Sequence, residues 1–268
     1  MNKYFPFLLA FTFAIIVTGC SKDNMEPAPE KIPFQKMAEG FATGAGIKVE
    51  LYAKKAFTTG YNSIYLALYD SLSGKPLENA QIHLQPMMDM GTMKHSSPVE
   101  QPAGNADNKL FPAAAVFTMP SGEMGRWTLN VHISLHGKQG QAALPVVVTA
   151  PAVARLKSFV SKADNAKFIV AYIQPEAPKV GVNDLEIAVY KAKNMMEFPA
   201  DSSLTISLTP EMPTMGHGSP NNAAPVHTAQ GHYKGKANFT MTGLWYLHLG
   251  FKAGSAMADE TTYFEVNF

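Results

Sequence analysis

The chain has 268 residues, with 22 lysines and arginines against 21 aspartates and glutamates, and a single cysteine. That balance gives no basic stripe to neutralise phosphates, which excludes nucleic acid as a partner on electrostatic grounds. One cysteine allows no internal disulfide, so any folded domain must rest on its hydrophobic core.

At the N-terminus, Lys3 precedes an apolar stretch from Tyr4 to Val17 that only Pro6 and Thr12 interrupt. It is too short to span a bilayer and has the form of a secretory signal. It ends in Val17-Thr18-Gly19-Cys20, which resembles the lipobox of bacterial lipoproteins, cut before a cysteine that is then diacylated. Residues 1–19 are therefore expected to be a lipoprotein signal. Residues 20–40, with Pro27, Pro29 and Pro33 among charged side chains, read as a tether lipidated at Cys20. The expected location is the cell envelope, on the periplasmic side or the surface of the outer membrane, with the membrane held through the lipid.

The rest of the chain repeats itself. "GYNSIYLALYD" (Gly60 to Asp70) matches "GVNDLEIAVYK" (Gly181 to Lys191), pairing Gly60, Asn62 and Tyr69 with Gly181, Asn183 and Tyr190 at an offset of 121. Pro86 matches Pro210 at 124, and Met93, His95 and Pro98 match Met215, His217 and Pro220 at 122. "FTM" recurs at Phe117 to Met119 and Phe239 to Met241, and each of the two tryptophans, Trp127 and Trp245, follows soon after. Apolar residues alternate with period two in both copies: Ile64, Leu66, Leu68 and Trp127, Leu129, Val131, Ile133 in the first; Leu185, Ile187, Val189 and Trp245, Leu247, Leu249, Phe251 in the second. No long stretch has a helical period with caps. The pattern predicts an all-β chain of two tandem immunoglobulin-like antiparallel β-sandwich domains, 41–150 and 151–268, with the tryptophans anchoring the cores.

Methionine is concentrated in one place of each copy. Met87, Met88, Met90 and Met93 crowd "PMMDMGTMKHSSP", and Met212 and Met215 occupy "PEMPTMGHGSP", a stretch so rich in proline and glycine that a regular strand is not expected there. His95 and His217 each stand two residues beyond a methionine. Thioether and imidazole suit Cu(I) and do not oxidise to disulfides, so Met212, Met215 and His217, and Met88, Met90, Met93 and His95, are candidate copper ligands. The alternative is that these methionines fold back as adaptable apolar plugs over the open end of a sandwich. Met119 and Met241 alternate with Phe117 and Phe239 and read as core residues, although a strand end would bring their sulfurs under the loop. His227 and His232, in the long loop after the second motif, are auxiliary candidates. His132 and His136 share a strand face opposite Val131 and Ile133 and read as solvent-facing. No motif for a nucleophile elbow, phosphate loop or zinc protease is present, and the chain is not expected to be an enzyme.

"KVGVNDLEIAVY", "MPTMGHGSP" and "GHYKGKANFTMTGLWYLHLGF" together resemble the YtkA-like/FixH-like domain, with its Gly-x-Asn strand start, Met-Pro-x-Met-Gly-His loop and late tryptophan. The resemblance covers about 80 residues of the second copy; in the first, "MMDMGTMKH" departs from the loop. It implies an extracytoplasmic β-sandwich, often attached to the membrane or to efflux components, with one branch linked to assembly of copper-containing oxidases. The expected function is therefore a membrane-anchored binding lipoprotein that captures or delivers Cu(I) to an envelope copper-handling protein. The alternative is a metal-free adaptor that binds another envelope or efflux protein through its sandwiches.

Overall fold

The computed structural model describes Met1 and residues 32–268. Apart from Met1, the expected signal lies outside the described residues, as do Cys20 and most of the expected tether; residues 35–40, expected to end the tether, belong instead to the first strand. Residues Pro33–Phe268 form one compact unit of strands, turns and bends. Among the described residues no helix is long and apolar enough to cross a membrane.

The first half supplies β1 (Gln35–Ala42), β2 (Ile47–Ala53), β3 (Phe57–Thr58), β4 (Gly60–Asp70), β5 (Pro76–Leu77), β6 (Gln81–Asp89), β7 (Lys94–Ser96), β8 (Val99–Glu100), β9 (Phe111–Phe117), β10 (Arg126–Leu135), β11 (Lys138–Val146) and β12 (Val148–Thr149). One sheet has the order β1-β2-β4-β9-β8 with β5 beside β4, and the other β11-β10-β6-β7; β12 pairs with β3. The second half supplies β13 (Leu156–Val160), β14 (Lys167–Gln174), β15 (Gly181–Ala192), β16 (Leu204–Met212), β17 (His217–Gly218), β18 (Ala223–Ala229), β19 (His232–Phe239), β20 (Leu244–Ala253), β21 (Ala256–Asp259) and β22 (Tyr263–Asn267). Its sheets, β13-β14-β15-β19-β18 and β17-β16-β20 continued by β21 and β22, repeat the two main strand orders of the first half, with β21 and β22 in the place of β11 and no counterpart of β3, β5 or β12. The registers repeat too: Gly60 faces Phe117 as Gly181 faces Phe239. The chain is two antiparallel β-sandwiches in tandem.

Strand alternation decides what faces inward. Every residue of the four predicted stripes is buried, and Trp127 and Trp245 rank among the largest fully buried side chains. The repeated Gly-x-Asn has a structural cause. Asn183 Nδ2 donates to the carbonyls of Lys179 and Gly181 while its Oδ1 accepts from Lys179 N–H, and Asn62 makes the same three bonds to Thr58 and Gly60. The buried amide thereby satisfies the backbone of the turn entering the strand. Gly60 and Gly181 take φ of 112° and 100° there, a left-handed conformation that a Cβ disfavours.

The stretch from Phe168 to Tyr172 in β14 is buried at every position. Such a run needs cover on both faces. Phe168, Val170 and Tyr172 enter the second core. Ile169 and Ala171 turn outward and join Ala188, Tyr190 and the first domain's Val116 in a small apolar cluster between the sandwiches.

Candidate metal centre

Both methionine motifs fold as hairpins. "PEMPTMGHGSP" is not a strandless loop: β16 continues through Met212, and β17 returns with His217 opposite Met212. The Met212 carbonyl closes the turn by accepting from the N–H groups of Met215 and Gly216, with Gly216 at a φ of 65°. In the first domain Met88 faces His95 in the same way. Strand pairing outweighs the local cost of the prolines and glycines, and Pro210 falls outside the two-residue ladder with β17.

The seven motif residues do not act alike. Met88 and Met212 are strand residues, 0% and 3% exposed, that fill the two cores. Each lies against the glycine two places before the tryptophan: a Cβ on Gly125 would stand 2.8 Å from Met88 Sδ, and one on Gly243 2.9 Å from Met212 Cε. Met90 is half-buried against the first core. Met93 and Met215, at the turn tips, are exposed. The apolar-plug role thus belongs to Met88 and Met212.

The histidines sit at the rim, over the tryptophans. His95 meets Trp127 edge to face at 5.5 Å, and His217 meets Trp245 at 6.1 Å. Trp127 Nε1 donates to the Met119 carbonyl at 2.8 Å, and Trp245 Nε1 to that of Met241 at 3.1 Å. Each tryptophan therefore pins the backbone of the auxiliary methionine beside the histidine. Met119 and Met241 lie two residues beyond the ends of β9 and β19.

At that point the two domains differ. In the first, His95 Nε2 stands 3.4 Å from Met119 Sδ, while His95 Nδ1 contacts the Ser96 carbonyl at 2.8 Å. A carbonyl only accepts, so Nδ1 carries a hydrogen, and in the neutral ring the Nε2 lone pair faces the thioether. Zinc, a first-row metal, bonds imidazole nitrogen and thiolate sulfur at about 2.0 and 2.3 Å, and bonds of that length at a tetrahedral angle place two donors about 3.5 Å apart. The observed pair has that spacing. In the second domain His217 Nδ1 likewise meets the Gly218 carbonyl at 2.9 Å, but Met241 is 40% exposed, and among the described residues no such contact joins it to His217. The domain with the divergent motif is the one that brings histidine and methionine together.

The remaining histidines lie elsewhere. His227 and His232 are on β18 and β19, not in a long loop. His227 is exposed and packs edge to face on Tyr233 at 5.3 Å. His232 bridges the domains: Nδ1 is 2.7 Å from Glu186 Oε1 and Nε2 is 2.8 Å from Glu100 Oε1. The hydrogen bond to Glu100 raises its pKa more than burial lowers it, and Glu186 adds to the rise. Both nitrogens are committed to carboxylates, which removes His232 from the candidate ligands. Tyr190 and Tyr61 hydroxyls also donate to Glu100; burial alone would raise the Glu100 pKa, but these bonds and His232 hold it below the ordinary carboxylate value. His132 stands across the ladder from His83, ring centroids 6.1 Å apart, and His136 lies in the following turn at a φ of 49°. Among the described residues no three or more His, Cys, Asp or Glu side chains gather as a metal site, so the donor set that remains is the soft one at His95.

Fold and rim together define a tandem β-sandwich protein whose first domain holds a histidine–thioether pair. The family described as YtkA-like matches residues 161–250, a stretch that lies within the second sandwich. A comparison with curated proteins finds no match. Among solved structures, the chain is similar to FdeC, a broadly conserved Escherichia coli adhesin, at 16% identity and a TM-score of 0.27, over 85% of this chain; it spans 65% of that chain's length. It is also similar to domains 5–6 of the S-layer protein SbsC, at 12% identity and a TM-score of 0.27, over 87% of this chain and 99% of that one.

Proposed function

We propose that the protein is an envelope lipoprotein, anchored through Cys20, that captures Cu(I) and hands it to a partner, and that both sandwiches descend from the YtkA-like/FixH-like domain. The observation that carries this reading is the 3.4 Å approach of His95 Nε2 to Met119 Sδ, two donors of the softness that Cu(I) prefers. A site at the rim, on a three-residue edge strand, suits exchange of ligands with another protein. Copper is cargo here, and no catalytic step is involved.

The adaptor reading draws on a different observation. Met215 is 61% and Met241 40% exposed, and exposed methionines make adaptable contact surfaces. In the second domain these side chains serve as a contact for the receiving partner.

The test is an anaerobic titration of the full chain in detergent with Cu(I) against a chromogenic chelator. One ion is expected to bind, with affinity reduced at least about tenfold by His95→Ala and by Met119→Leu. Replacing Met212, Met215 and His217 together by alanine is expected to leave that ion in place. Absence of uptake by the wild-type chain, or uptake unchanged by both first-domain substitutions, rejects the copper reading.

A further inference from the structure

The rim of the first domain does not face open solvent on every side. A cleft of about 460 Å³ opens between His95, Ser96 and Thr118 of the first domain and Lys167, Ile169, Ala192, Asn194, Met195 and Phe198 of the second. The second domain reaches it through the 193–203 connection between β15 and β16. Asn194 Oδ1 accepts from the N–H groups of Met196 and Glu197 at 2.7 and 3.0 Å, and Lys193 N–H donates to the Glu197 carbonyl. This tight turn presents Met195, whose carbonyl accepts from Ser96 N–H at 2.8 Å. The residue next to His95 is thus tied by its backbone to a methionine of the other domain.

The sequence carries a trace of this loop. The repeat offset rises from 121 at Tyr69 and Tyr190 to 124 at Pro86 and Pro210, which places three additional residues in the second copy. Strand β6 starts at Gln81 and β16 at Leu204, so the added length falls chiefly in the connection that bears Met195.

We infer that the copper site is shared between the domains: His95 Nε2 and Met119 Sδ supply two donors, and the thioether of Met195, a residue that lines the cleft with His95, supplies the third. The inference rests on the copper reading of the His95–Met119 pair and adds its missing ligand. Three soft neutral donors form a site for a monovalent soft ion. The cleft has no carboxylate among its lining and has Lys167 on one wall, so hard divalent cations, which require anionic oxygens, gain nothing there. Because Met195 belongs to the second domain, loading the site adds a metal bridge between the sandwiches.

The test compares the full wild-type chain with Met195→Leu and Met196→Leu in Cu(I) competition titrations and in X-ray absorption at the copper edge. Leucine preserves volume and removes the sulfur. Wild type is expected to show two sulfur neighbours and one nitrogen neighbour. Met195→Leu is expected to lose one sulfur and at least about tenfold in affinity, while Met196→Leu matches wild type. Ca(II) and Mg(II) are expected not to compete. If wild type binds Cu(I) through His95 and Met119 but Met195→Leu leaves affinity and sulfur count unchanged, the shared site is rejected and the copper reading stands. If wild type binds no Cu(I), both are rejected together.

Discussion

Replacing His232 by glutamine isolates the ionic bridge between the sandwiches. The histidine side chain is 15% exposed, and its carboxylate partners Glu100 and Glu186 are 17% and 19% exposed, so solvent screens the contacts only in part. A hydrogen bond to a charged group contributes about 1.5–3 kcal/mol. Removing the imidazolium leaves Glu100 with the Tyr61 and Tyr190 hydroxyls and Glu186 with Lys234 at 3.4 Å, so neither carboxylate is orphaned. The loss for the pair of contacts should therefore fall near the lower end, about 2 kcal/mol. Its pH dependence follows from the two opposite shifts. The raised His232 pKa gives stability fully present below the ordinary value of 6.5 and lost as pH rises through the folded-state value. The lowered Glu100 pKa gives stability present above 4.5 and lost as pH falls through its folded-state value. Urea unfolding, followed by tryptophan fluorescence, is expected to show wild type ahead of His232→Gln by about 2 kcal/mol near pH 5.5, with a smaller gap near pH 9.5. An equal gap at both pH values, or a wider one at the alkaline end, refutes the imidazolium bridge.

Gly125→Ala and Gly243→Ala should both destabilise, because their φ values are 152° and 129°. Gly125→Ala should cost the more, about 3 kcal/mol against about 1–2, since its Cβ would meet the Asp89 carbonyl oxygen at 2.7 Å, whereas at Gly243 the obstacle is the flexible end of Met212; thermal melts of the two variants decide the order. Asn183→Ala removes three hydrogen bonds from a buried turn and is expected to cost about 2–3 kcal/mol, with faster hydrogen exchange at Lys179 and a matching effect for Asn62→Ala at Thr58.

What could be read from the sequence was whatever repeats or alternates. Matched landmarks marked two copies, and period two assigned Leu185, Ile187, Val189 and their counterparts to the cores, because a pleated strand converts parity directly into a side. Proline and glycine content misassigned Met212, since turn chemistry is local and the pairing of β16 with β20 is not. Residues that act between the copies left no periodic signal: Glu100 is 132 positions from His232, and nothing in the sequence joins Met195 to His95 except the small rise in repeat offset. The pairing of His95 with Met119 was half visible, as a sulfur that a strand end would carry beneath the loop. Which domain achieves it depends on a side-chain direction beyond the reach of spacing.

The hydrogen bond from Ser96 to Met195 also bears on aggregation. Strand β7 ends its sheet, and an open edge is a template for strands of other chains. Here the neighbouring domain occupies the outward N–H of Ser96 with a backbone carbonyl from a turn, which cannot propagate a ladder. The corresponding edge in the second domain, β17, is two residues long, too short to seed one. Two copies of the same architecture thus guard the same rim by different means, one by cover and one by brevity, and the second rim stays protected without needing a neighbour.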